Sequence, residues 1–145
     1  MIEIYAMPGH MIRRLHQIST HIFQMRVQEA GFDITPVQFA AMGALRANPK
    51  IEQAQIAALI GYDRATIGGV IDRLEQKKYV TRVVSKRDRR AREVSLTEKG
   101  QSTSEALLPV VLALQDDILE NLNPAEREVF TKLAAKAVGG PKTQT

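Results

Sequence analysis

The chain has 145 residues, 44% hydrophobic and 25% charged, with a formal net charge of +4, which suits one domain around a single core. It has no cysteine, so disulfide frameworks, thiolate metal sites, cysteine nucleophiles and thiol-based redox sensing are excluded. It has no apolar run of about 18 residues, and its start, MIEIYAMPGH, lacks a basic flank before a long apolar stretch, so the expectation is a soluble, cytoplasmic protein without signal peptide or membrane span.

From Pro8 to about Ala30, Met11, Leu15, Ile18, Ile22 and Met25 recur at spacings of three and four, the stripe of an amphipathic helix. Gly31 ends it. Thr35 reads as an N-cap with Pro36 at the first helical position, and a second helix runs over Val37 to Ala47, stopped before Asn48-Pro49. A third helix, Glu52 to Ile60, and a fourth, Arg64 to Lys78, are separated only by Gly61-Tyr62-Asp63, a link tight enough for a helix-turn-helix. Ala57 suits the crossing point of that pair, and Gly61 a left-handed turn.

Tyr79 to Ser85 (YVTRVVS) and Arg92 to Leu96 are rich in β-branched residues and flank a charged tip, so they predict a hairpin. Thr97 then opens a long helix in which Leu107, Leu108, Val111, Leu112, Leu114, Ile118, Leu119 and Leu122 supply more apolar surface than one surface helix needs, with Pro109 as a candidate kink. Asn123-Pro124 starts a last helix with Val129, Phe130, Leu133, Ala134 and Ala137 on one face, and the tail GGPKTQT is expected to fray.

Charge is unevenly placed along this order. Residues 82–92 hold six basic groups against one acid, whereas 98–138 hold seven acids against four basic groups. Ile67, Val70, Ile71 and Leu74 form the inward face of the fourth helix, leaving Arg64, Ala65, Thr66, Gly68, Gly69, Asp72, Arg73 and Lys77 outward as candidate readers of a DNA groove, with Asp63 as N-cap. Gly68 and Gly69 each cost a helix interior about 1 kcal/mol relative to alanine. Two readings stay open for them: close approach to DNA, or a packing or kink requirement. The tip residues Lys86, Arg87, Asp88, Arg89 and Arg90, with Arg92 beyond, suit a narrow groove walled by phosphates. Asp88 is expected to fix a neighbouring arginine, Arg92, by an ion pair. A solvated charged turn is the alternative, weakened by the helix-turn-helix directly upstream.

The order of helices, the run DRATIGGVIDRLEQKKYVTR and the following SKRDRRAREVSLTEKG resemble the multiple-antibiotic-resistance regulator (MarR) family over nearly the whole chain. Asp88, Arg90, Leu96, Thr97 and Gly100 match that family's wing marker. The resemblance implies a mainly α fold with a small β-hairpin wing. Its winged helix-turn-helix head would occupy 35–100, and helices over 8–30 and 101–138 would form a dimerisation domain. It also implies that the helix from Arg64 reads the major groove and Arg90 enters the minor groove.

The apolar terminal helices point independently to a homodimer, since the small head cannot cover them, unless the long helix is buried within its own subunit. A two-fold dimer would set the reading helices roughly 34 Å apart on a pseudo-palindromic operator in double-stranded DNA. Members of the family commonly release DNA on binding a small aromatic carboxylate or phenolic compound between dimer helices and head. Here His10, Arg13, Arg14, Gln17 and His21 lie along a polar flank of the first helix and, with Phe39 and Met42, are candidates to bind such an effector. A solvated face or inter-subunit ion pairs would explain the same residues. No cofactor or metal site is expected. An enzyme is disfavoured because no phosphate loop, nucleophile elbow or His/acid constellation occurs. A DNA-coating protein that reads no particular sequence is the remaining alternative.

Overall fold

The computed structural model describes residues 3–140; the expected fraying of 141–145 lies outside that range. A short 3-10 turn, Ile4–Ala6, leads into α1 (Pro8–Glu29), followed by α2 (Pro36–Ala47), β1 (Ile51–Glu52), α3 (Gln53–Ile60), α4 (Ile67–Gln76), β2 (Val80–Val84), β3 (Arg92–Leu96), α5 (Glu98–Ile118) and α6 (Pro124–Ala137). The mainly α fold with a hairpin wing is therefore what the chain adopts.

Local chemistry sets most boundaries. Thr35 Oγ1 accepts the Gln38 N–H at 3.2 Å while Gln38 Oε1 accepts the Thr35 N–H at 3.2 Å, and Asn123 with Glu126 builds the same reciprocal cap on α6. Gly61 closes α3 in the left-handed conformation at φ 68°, ψ 36°, and the Tyr62 N–H returns to the Ala57 carbonyl at 2.9 Å. Lys78 takes a positive φ of 66° without being glycine. The Tyr79 N–H then bonds the Leu74 carbonyl at 2.9 Å, which ends α4 before the expected Lys78.

The sheet is antiparallel in the order β1-β3-β2. Sequence patterning gave only the hairpin; β1, two residues placed before the helix-turn-helix, pairs Ile51 with Val94 and Glu52 with Glu93. Glu52 is consequently strand and N-cap rather than the first residue of α3.

One core joins the head to the long helices. Met42, Leu45, Ile56, Ile67, Ile71, Leu74, Leu107 and Leu114 are fully buried, each stabilising the fold by roughly 1.5–3 kcal/mol. On α1 the buried residues are Phe23 and Val27, while Met11, Ile18 and Met25 of the expected stripe remain exposed. Only the C-terminal half of α1 therefore packs inward. Its N-terminal half, with the end of α5 and the length of α6, forms an open apolar groove of about 890 Å³, lined among others by Ile12, Leu15, Ile118, Leu119, Phe130 and Leu133. Helix α6 buries no residue, and Ile12 and Leu133 are 66% and 61% exposed. Arg127 holds α6 to α5, donating to the Leu119 carbonyl at 3.1 Å and pairing with Asp116 at 3.4 Å. Pro109 lies within α5, which runs unbroken to Ile118. Among the described residues no helix is long and apolar enough to cross a membrane.

Candidate nucleic-acid interface

The helix-turn-helix presents α4 with Ile67, Val70, Ile71 and Leu74 buried and with Arg64, Ala65, Thr66, Gly69, Asp72 and Arg73 exposed. Asp63 does not cap α4 directly. Residues 64–66 form a turn, and regular helix begins at Ile67 rather than Arg64. Asp63 organises that turn: its carboxylate accepts the Ala65 N–H at 3.3 Å and the Thr66 hydroxyl at 3.2 Å, and its carbonyl accepts the Ile67 N–H at 3.0 Å. Arg64 is thus held at the exposed lip of α4 by a local Asx-type turn.

The glycine pair divides into two cases. A Cβ on Gly68 would stand 3.3 Å from the Gln53 Nε2 of α3, so this glycine makes room for a carboxamide at the α3–α4 crossing. A Cβ on Gly69 would meet nothing within 4 Å, so no contact within the chain accounts for it. Gly69→Ala is therefore expected to stabilise the protein by about 1 kcal/mol in thermal or urea unfolding. It should also weaken DNA binding where the α4 backbone approaches a groove wall; unchanged affinity would remove Gly69 from the interface.

At the wing tip, the Asp88 carboxylate accepts the Arg90 N–H at 2.9 Å and its carbonyl accepts the Ala91 N–H at 3.0 Å. The expected Asp88–Arg92 ion pair is absent; Arg92 instead donates to the Arg89 carbonyl at 3.4 Å. Asp88 shapes the turn because its short side chain reaches the amide two residues on before it can reach a guanidinium. Ser85, a residue that sequence patterning did not single out, is buried under the tip. Its hydroxyl accepts the Arg87 and Asp88 N–H groups at 3.2 and 3.4 Å and faces Glu93 at 3.4 Å. These contacts leave the side chains of Lys86, Arg87, Arg89 and Arg90 exposed.

A cleft of about 390 Å³ separates wing from helix-turn-helix, with Gln53, Arg64, Ile67, Arg90 and Arg92 among its lining. Arg64, Arg73, Lys86, Arg87, Arg89, Arg90 and Arg92 take part in no ion pair among the described residues, so their charge is available to an anionic partner.

Two basic residues leave the expected surface. Lys77 turns back into the body, donating to the Asp33 carbonyl at 2.6 Å and to Gln38 Oε1 at 3.0 Å, and so ties the end of α4 to the α1–α2 loop instead of facing a groove. Arg82, counted in the basic segment, donates to Gln53 Oε1 at 3.1 Å, to Glu75 Oε1 at 3.2 Å and to Asp72. Partial burial opposes its charge, but the hydrogen bonds to Asp72 and Glu75 outweigh this and hold its pKa above the ordinary guanidinium value.

The effector candidates are less gathered. His10 is half-buried and lies 3.4 Å from Arg13 and edge-on to Tyr5, while Arg13, Arg14, Gln17 and His21 are exposed along α1. Phe39 packs against Phe23 at 6.2 Å between ring centres, and Met42 is fully buried in the core. Met42 is therefore core rather than pocket lining, and the clefts described above are lined by other residues.

Comparisons with known proteins agree with this geometry. The MarR family profile matches residues 32–91. The chain is 31% identical over 136 residues to the HTH-type transcriptional repressor NicR of Pseudomonas putida, covering 94% of this chain and 85% of NicR. A structure concerned with regulation of the DNA binding of Bordetella bronchiseptica BpsR by 6-hydroxynicotinic acid matches with a TM-score of 0.87 and 28% identity, over 97% of this chain and 99% of that one. The transcriptional repressor CouR, bound to a 23-mer DNA duplex, matches with a TM-score of 0.83 and 28% identity, over 94% of this chain and 95% of that one. With its fold, its wing and its relatives in agreement, the chain belongs to the MarR family of winged helix-turn-helix transcription regulators.

Proposed function

We propose that this protein is a sequence-specific repressor, a homodimer that occludes a pseudo-palindromic operator and lets go when a small aromatic carboxylate binds. The observation that carries the reading is the set of exposed cations with no ion-pair partner among the described residues, running from Arg73 on α4 and Arg64 in the turn before it across the cleft to Arg90 at the wing. Helix and wing present two separate basic surfaces, suited to a major groove and the adjoining minor groove. The dimer follows from the open groove along α1, α5 and α6, whose apolar lining needs a partner surface to leave water. Helices over 8–30 and 101–138 would then be the dimerisation part, and 35–100 the reading head.

Repression is supported by NicR and CouR, both described as repressors. An anionic aromatic effector is supported by the BpsR work on 6-hydroxynicotinic acid. On this chain, Arg13 and Arg14 on α1 supply the charge for a carboxylate, with His10, Gln17 and His21 as polar partners beside them. The half-buried Phe39 adds an aromatic neighbour, and the partner subunit would have to complete the site.

The test is an anisotropy titration against the intergenic DNA beside the protein's own gene, with a scrambled duplex as competitor and aromatic acids added afterwards. Competitor-resistant binding released by an acid supports the reading. Equal affinity for both duplexes would favour a DNA-coating protein instead. In the same assay Arg90→Ala is expected to cost about 2 kcal/mol per wing, about thirtyfold each, with the dimer intact by light scattering; unchanged affinity at matched salt sinks the wing assignment.

A further inference from the structure

We propose that Arg82 is a positioning residue for DNA binding, a strut that fixes the pitch of the wing against α4 and so decides whether Arg90 reaches its groove. The inference rests on the DNA-binding reading of the head. Arg82 pairs across the strands with Val94, which is fully buried, so its side chain lies on the side of the hairpin that faces the helices. Its side chain is 20% exposed and its guanidinium forks to three residues on two helices: Gln53 at the start of α3, and Asp72 and Glu75 on α4. Gly68 belongs to the same assembly, because any side chain there would crowd the Gln53 carboxamide that Arg82 holds.

Beyond Arg82 the third strand, β1, reaches only as far as Glu93, opposite Val83. Val83 and Val84 are 55% and 50% exposed, and β2 is an edge strand paired only with β3. The tip is therefore a two-stranded projection whose direction is set at its base. A planar, forked cation is suited to that task, whereas an ammonium on a flexible stem cannot bond three acceptors in fixed directions. The cluster holds one cation against two carboxylates, so Arg82 contributes nothing to the positive footprint and its effect on DNA must pass through the wing.

That last point gives a test whose direction separates mechanism from charge. The double variant Asp72→Asn/Glu75→Gln makes the head more positive by two charges. Simple attraction to phosphate would then tighten DNA binding. Loss of the strut weakens it, by about tenfold per wing, part of what removing Arg90 itself would cost. The probe is the duplex that the wild-type protein selects from a random-sequence pool, with dimer state and melting temperature measured alongside. Because the strut acts through Arg90, the double variant placed on an Arg90→Ala background should lose nothing further. Arg82→Lys, which keeps the charge and loses the fork, should repeat the wild-type-background result. Tighter binding by the double variant, or losses that add to that of Arg90→Ala, would overturn the proposal. A wild-type protein that selects no duplex would instead overturn the DNA-binding reading beneath it.

Discussion

Gly100→Ala is expected to lower stability by about 3–5 kcal/mol, a fall in melting temperature of roughly 10 °C or more. Gly100 sits in the first turn of α5, fully buried, where the Thr97 hydroxyl accepts its N–H at 2.9 Å. A Cβ there would lie 2.9 Å from the Tyr79 carbonyl carbon and 3.1 Å from Leu96 Cδ2, with the Tyr79 oxygen nearer still. That oxygen cannot move away cheaply, because it already accepts the Thr97 N–H at 2.9 Å, and the neighbouring Lys78 carbonyl accepts the Thr97 hydroxyl at 2.7 Å. The helix and the strand end are thus locked face to face by backbone, with only a hydrogen atom between them. A thermal melt followed by circular dichroism reads the effect; a shift of only a few degrees would mean that α5 can slide along its axis.

If the proposed homodimer forms through this groove, Leu133→Glu is expected to leave the chain monomeric at concentrations where the wild type assembles. Leu133 lines the apolar groove, and in a two-fold interface each substitution is counted twice. At about 2 kcal/mol per buried apolar anchor replaced by an acid, two copies weaken assembly by about a thousandfold. Folding should be nearly untouched, since α6 buries no residue in the single chain. Sedimentation analysis decides the matter, and a variant that stays dimeric would move the interface to another face.

The helices were legible because their signals are local. Thr35-Pro36 and Asn123-Pro124 carry cap and first-turn residues side by side, and Gly61 marks a turn that needs the left-handed conformation. Strand β1 escaped notice because two residues, Ile51 and Glu52, are too few to alternate; they become a strand only by meeting Val94 and Glu93. Lys77 and Arg82 read as free cations for a related reason. Lys77 meets Asp33 and Gln38, dozens of residues away along the chain, and Arg82 meets Gln53 together with Asp72 and Glu75 of the preceding helix, pairings that cross between elements and so escape any local spacing rule. Asp88, expected to hold Arg92, instead binds the backbone of its own turn. On α1 the periodicity was real, yet Ile22 packs on the core, Leu15 lines the groove, and Met11, Ile18 and Met25 stay exposed, a division that a single sequence does not reveal.

The pairing of Ile51 with Val94 joins chain from either side of the helix-turn-helix, and Lys50 reinforces the seam by reaching Glu93 at 3.3 Å. The stretch between becomes a closed ring, with α3, α4 and the wing strung along it. Forming that ring costs loop entropy before any of its contacts is rewarded, so the hairpin and the helix pair gain little by ordering separately. Once the seam is made, they are expected to stand or fall together: α3, α4 and the strands that close the ring should open as one cooperative unit.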